Sequence, residues 1–181
     1  MPRVVGKGTT TLVKIPDNRF LYFAFGSNLY SHRVRLNNPS AEFVAVGRIQ
    51  GYRLGFIEYA GGWKGGVATI ISSKGSTVWG VIWSLLNADR SSLDSQEGLY
   101  NPIYVDVTAK LRVGQEEVVR CLTYQYPEPF EETLPSVHYK NTIIAGAIEH
   151  KLPAAYIEQL RKLPDNGYDG PIPIRVPGVN A

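Results

Sequence analysis

Two short segments carry residue types suited to chemistry. In Phe25-Gly26-Ser27-Asn28-Leu29 an apolar run ends in a glycine turn and leads toward a helix. Backbone N–H groups at such a turn are left unpaired on one side, which makes a concave site for an anion or a developing negative charge. In Leu93-Asp94-Ser95-Gln96-Glu97-Gly98 the second carboxylate falls at the end of an expected helix, just before the glycine that should stop it. The helix dipole is negative there, which raises a carboxylate pKa and suits Glu97 to accept and return a proton near neutral pH. Asp94, one turn earlier, is placed to share that face and add to the rise. Each segment also has an ordinary structural reading, Asn28 closing its own turn and Glu97 as a solvated surface residue.

Other candidates fail on spacing. His32, His138 and His150 share no ligand spacing with one another or with Cys121, so no metal is expected. Gly6-Lys7-Gly8 lacks the upstream glycine and strand of a phosphate loop, and Ser27 lacks the Gly-x-Ser-x-Gly frame of an activated serine.

The elements that must position these residues follow from hydrophobic pattern. Phe20 to Phe25 reads as a buried strand, and Leu29 to Asn38 as room for a short helix. Strands are expected over Phe43–Ile49, Tyr52–Tyr59, Val67–Ile71 and Val78–Leu85, the last two forming a hairpin about Lys74-Gly75. Asn87 is the expected N-cap of a helix ending at Glu97, with Gly98 as its stop. Strands Tyr104–Arg112 and Glu117–Tyr126 meet at Gly114-Gln115, and helices over Val137–His150 and Pro153–Leu163 close the chain. Strands first and helices last predict an α+β fold with a largely antiparallel, curled sheet. Residues 1–19 read as a leader, 20–163 as the body, and 164–181 as a Pro/Gly-rich tail without regular structure.

Composition excludes whole classes of function. The chain has 181 residues, 44% hydrophobic and 19% charged, which suits one globular domain. Its net charge of +3 is scattered, without the basic run that tracks phosphates, so nucleic acid is not an expected partner. No apolar run approaches the roughly 18–20 residues of a membrane helix, and no secretory signal opens the chain, so a cytoplasmic protein is expected. Cys121 is alone, so an internal disulfide is impossible and a buried inert thiol is expected.

Taken together, the ordered motifs resemble the gamma-glutamylcyclotransferase family. Tyr22-Phe23-Ala24-Phe25-Gly26-Ser27-Asn28-Leu29 resembles its substrate loop. Asn38-Pro39-Ser40-Ala41, Gly66-Val67-Ala68-Thr69-Ile70 and Val78-Trp79-Gly80-Val81-Ile82-Trp83 resemble the segments that follow. Leu93 to Gly98 resembles the catalytic-glutamate stretch, and Tyr139-Lys140 with Gly146-Ala147 the C-terminal helix. The similarity runs from about Phe20 to about Leu163. Phe25 stands where the family usually has Tyr, which keeps the ring and removes a hydroxyl.

The resemblance implies a small mixed, mostly antiparallel β-barrel with flanking helices, a homodimer, and conversion of a γ-glutamyl amino acid to 5-oxoproline without metal or cofactor. It implies Glu97 as general base and acid. It also implies a γ-glutamyl group held by Tyr22, Phe23, Ala24, Phe25, Gly26, Ser27 and Asn28, in a pocket shaped by Tyr104 and Tyr139. The loop N–H groups would bind either the oxyanion or the α-carboxylate. The competing expectation is a non-catalytic module that keeps the barrel to bind a small metabolite or a protein.

Overall fold

Strand β1 (Arg19–Ala24) is apolar on both faces because it is covered on both sides, pairing antiparallel with β3 (Val67–Leu86) and parallel with β5 (Gln115–Gln125) at Tyr22↔Leu122. With β2 (Glu42–Ile57) and β4 (Asn101–Arg112) the sheet closes into a ring in the order β1-β3-β2-β4-β5. Every pairing except β1 with β5 is antiparallel. The expected α+β class and mostly antiparallel barrel describe this architecture. The computed structural model describes residues 15–59, 61–112 and 115–181. The Gly6-Lys7-Gly8 run, most of the leader and Gly114 of the β4–β5 turn lie outside these described residues.

The expected hairpin at Lys74-Gly75 does not form. Both of its arms belong to β3, and both pair with β2: Val67–Ser72 with Tyr52–Ile57, and Thr77–Ser84 with Glu42–Gln50. The register shift between them sets Gly51 of β2 against the bulge Ser73–Ser76 of β3, and Gly51 and Gly75 each have φ near +83°. A residue pair that reads as a turn is thus the corner of one long bent ribbon. Glycine supplies the positive φ in either case, and a bulge bends the strand into a barrel wall.

β1, β3 and β5 supply fully buried side chains to both faces of the barrel wall, among them Phe23, Ile70, Ile82, Trp83 and Cys121. Burial pushes the Cys121 thiol up, away from reactivity.

Four helices flank the barrel: α1 (Ser31–Asn37), α2 (Arg90–Gln96), α3 (Val137–Glu149) and α4 (Ala154–Lys162). Ser136 caps α3, its side chain accepting the Tyr139 N–H at 3.2 Å, which fixes the turn that carries the Tyr139 ring. Gly146 lets α3 approach the segment after β1: a Cβ there would sit 2.6 Å from Leu29 Cβ and from the Tyr30 nitrogen. Asn87 is not the cap expected for α2; its side chain instead donates to the Asp17 carbonyl at 3.1 Å. Gly98 does not take the left-handed conformation of a helix-ending glycine. Residues 164–181 hold no helix or strand, yet Val176 is fully buried and Asn166 donates its side-chain amide to the Lys64 carbonyl at 2.8 Å. No helix among the described residues is long and apolar enough to cross a membrane.

Candidate active site

A cavity of about 430 Å³ opens where the end of β1, the start of β3, α2 and α3 meet. The chain leaves β1 at Ala24, crosses the cavity at Phe25 and Gly26, and makes a 3₁₀ turn over Ser27–Leu29 before α1. This turn is locked from beneath. Trp83 Nε1 donates to the Asn28 carbonyl at 2.9 Å, and Asn28 Nδ2 donates to the Tyr22 hydroxyl at 3.3 Å. Burial raises Tyr22 well above its ordinary pKa, with the nearby Glu97 adding to the rise, so the phenol stays protonated.

Glu97 faces this turn from α2, occupying the position just after its last residue. Fully buried Leu93 anchors α2 to the core, and the Glu97 N–H donates to the Leu93 carbonyl at 3.1 Å. The side chain keeps some contact with solvent through the cavity mouth, but protein atoms surround most of the carboxylate. That desolvation lifts its pKa to about 7, against the opposing pull of the Arg33 guanidinium. The expected elevation is present, and its cause differs from the expected one. Burial raises Glu97, and Asp94 takes no part: Asp94 pairs with Arg90 at 2.9 Å and accepts the Tyr124 hydroxyl. Desolvation pushes the Asp94 carboxyl up, but those hydrogen bonds outweigh it and hold the pKa below the ordinary value.

Tyr139 forms the far wall. Its hydroxyl accepts the Ala68 N–H at 2.9 Å, and its ring stands edge-on to Trp63 and Phe56. Burial pushes its pKa up to about 12. Tyr100 closes the adjacent side, donating to the Ala68 carbonyl at 2.7 Å.

Of the residues singled out from sequence, Tyr22, Phe25, Gly26, Ser27, Asn28, Tyr139 and Glu97 line one cavity. Phe23 and Ala24 do not; they are buried in the barrel behind it. Tyr104 does not line it either: it is 58% exposed, with the Arg120 guanidinium over its ring. Its place against the cavity is taken by Tyr100, four residues earlier. Sequence reasoning passed over Arg33 and Trp63. The only hint was Trp63 held between glycine pairs; Arg33 carries no signal until folding brings Trp63 over it, 5.4 Å from guanidinium carbon to ring centroid. Among the described residues no three His, Cys, Asp or Glu side chains gather as a metal-ligating group.

The chain is thus a small α+β protein in which a closed five-stranded barrel sets a near-neutral, desolvated carboxylate opposite a strand-to-helix turn, an arrangement suited to acid–base chemistry. Residues 77–160 match the AIG2-like family. The chain is 41% identical to the gamma-glutamylcyclotransferase of Mus musculus over 157 residues, 84% of this chain and 83% of that one. It is 40% identical to the gamma-glutamylcyclotransferase of Homo sapiens over 162 residues, 87% and 86% of the two chains. A solved gamma-glutamyl cyclotransferase structure superposes with a TM-score of 0.78 at 40% identity, covering 85% of this chain and 93% of that one. The chain belongs to the gamma-glutamylcyclotransferase family.

Proposed function

We propose that the protein converts γ-glutamyl amino acids to 5-oxoproline and the free amino acid, with Glu97 moving the proton. The observation that carries this reading is the Glu97 carboxylate, poised at about pH 7 in the same cavity as the Gly26–Asn28 turn. In this reaction the substrate brings its own nucleophile. The α-amino nitrogen forms a bond to the γ-carbonyl carbon, and the bond from that carbon to the leaving nitrogen breaks.

Glu97 takes the proton the attacking amine sheds and delivers it to the leaving amino group, so atoms balance without water. Holding amine and carbonyl in contact removes roughly 7–11 kcal/mol of the barrier of an untethered reaction. The N–H groups of the Gly26–Asn28 turn hold either the oxyanion or the α-carboxylate, a donor on the oxyanion contributing about 3–4 kcal/mol. Tyr22 and Tyr139, both kept protonated by burial, act as neutral walls and do not compete with Glu97 for the proton. Phe25 supplies ring surface there without a hydroxyl. The protein acts on this small metabolite in the cytoplasm as a homodimer, for which the exposed apolar side chains of Leu36, Phe43 and Ile148 offer surface.

The test is product identity. Purified protein given γ-glutamyl-alanine should release 5-oxoproline and alanine, and the N-acetylated substrate, which lacks a free amine, should not react. Release of glutamate in place of 5-oxoproline would show hydrolysis and overturn the proposal.

A further inference from the structure

Among the described residues Arg33 is the one arginine with a buried side-chain nitrogen that meets no hydrogen-bond partner. Arg19, Arg48, Arg53, Arg90, Arg120 and Arg161 each lie within ion-pair distance of a carboxylate. Arg33 makes no ion pair among the described residues, and its Nε is buried without a hydrogen-bond partner. It lines the cavity, covered on one side by Trp63, within electrostatic reach of Tyr139, Glu97 and Tyr59. Burial works against the guanidinium charge there. A half-buried cation without a counter-charge is costly, and a guanidinium fork presents donors matched to a carboxylate.

Glu97 is the one acid that lines the cavity, and it does not meet this need. A carboxylate tightly paired with Arg33 would sit below its ordinary pKa, whereas Glu97 sits at about 7. Glu97 must also become neutral during turnover, which would strand the cation midway. A ligand carboxylate would supply the counter-charge that the cavity lining lacks.

We propose that Arg33 binds the carboxylate of the leaving amino acid, making the cavity selective for γ-glutamyl compounds whose leaving group is itself a carboxylic acid. This assignment rests on the cyclotransferase reading. The γ-glutamyl half occupies the space between the Gly26–Asn28 turn and Glu97, where its amine must lie. The leaving half then points toward the mouth, which is formed by Tyr59 and Leu99, 39% and 54% exposed and both lining the cavity. Arg33 and Trp63 lie on the way, with Arg33 in reach of Tyr59. The loss expected on removing this contact falls on substrate binding more than on the chemical step.

The experiment compares kcat/KM for γ-glutamyl-alanine and γ-glutamyl-alanine amide, which lacks only the leaving carboxylate, in wild type, Arg33→Gln and Arg33→Lys. The ratio is taken within each protein sample, so partial misfolding of a variant cancels. Wild type should prefer the acid by at least about tenfold. Arg33→Gln should bring the ratio near one, chiefly through KM, and Arg33→Lys should keep part of the preference. An unchanged ratio in Arg33→Gln, or equal losses on both substrates, overturns the assignment. A wild type that turns over both substrates equally also overturns it while leaving the cyclotransferase reading standing. A wild type that releases 5-oxoproline from neither removes both.

Discussion

The Tyr139 hydroxyl accepts the backbone N–H of Ala68 at 2.9 Å, tying α3 to the start of strand β3 across the cavity wall. Both residues are buried, and the Gly66 N–H donates to the Leu134 carbonyl at 2.8 Å close by, joining the same two parts of the chain. Tyr139→Phe keeps the ring that stands edge-on to Trp63 at 4.9 Å and removes the acceptor. The unpaired N–H should cost about 1–3 kcal/mol of stability, read by urea unfolding. Because the same wall bounds the substrate, kcat/KM of the folded variant should fall at least several-fold. A variant with wild-type stability and turnover would show that the link is idle.

Gly146 sets how closely α3 lies on the turn that follows β1. A methyl at this position meets Leu29 Cβ and the Tyr30 nitrogen at 2.6 Å, and the backbone atoms involved have no side-chain freedom with which to give way. Gly146→Ala should therefore cost about 1–3 kcal/mol despite the gain in helix propensity. It should also raise KM by displacing the Ser27–Leu29 turn. Denaturant unfolding together with steady-state kinetics measures both, and a more stable, fully active variant would contradict the packing.

Much of the fold was legible because aromatic and β-branched runs, such as Phe20 to Phe25 and Val78 to Leu85, name buried strands directly. The Lys74-Gly75 corner reads as a hairpin because a turn and a bulge ask the same thing of glycine, and only strand partners distinguish them. In the site, the glycine turn and Glu97 were legible as local patterns. The reason for the elevated Glu97 pKa was not, because desolvation is a property of the assembled cavity and Asp94 turns to Arg90 and Tyr124. Arg33 was invisible for the same reason: its lack of a partner appears only once Trp63 covers it and no acid arrives. Tyr104 and Tyr100 show the limit of spacing, since strand geometry in β4 sends the former to the surface and the chain before it brings the latter to the cavity.

The Glu97 titration has two signatures. In kcat/KM the acidic limb should bend near pH 7, since the ionised carboxylate is the form that accepts a proton. In stability the sign follows from a folded pKa raised above the unfolded value of 4.5. Below pH 4.5 the carboxyl is neutral in both states and costs nothing. As pH rises toward about 7 the unfolded state releases its proton first and stability falls. At about 1.4 kcal/mol per tenfold shift in acidity, the full effect above pH 7 is roughly 3 kcal/mol. Glu97→Gln should thus match wild type at pH 4 and be more stable at pH 8. Thermal or urea unfolding at the two pH values measures the difference, and a variant less stable at pH 8 would contradict a desolvated carboxylate.

Whether Glu97 moves the proton in ring closure is measured most directly by the rate of 5-oxoproline release from γ-glutamyl-alanine by wild type and Glu97→Gln. The isosteric amide preserves the shape of the cavity and cannot take the proton. Turnover by the folded variant should fall by about 10²–10⁴-fold with KM little changed. Equal rates for the two proteins would contradict the mechanism.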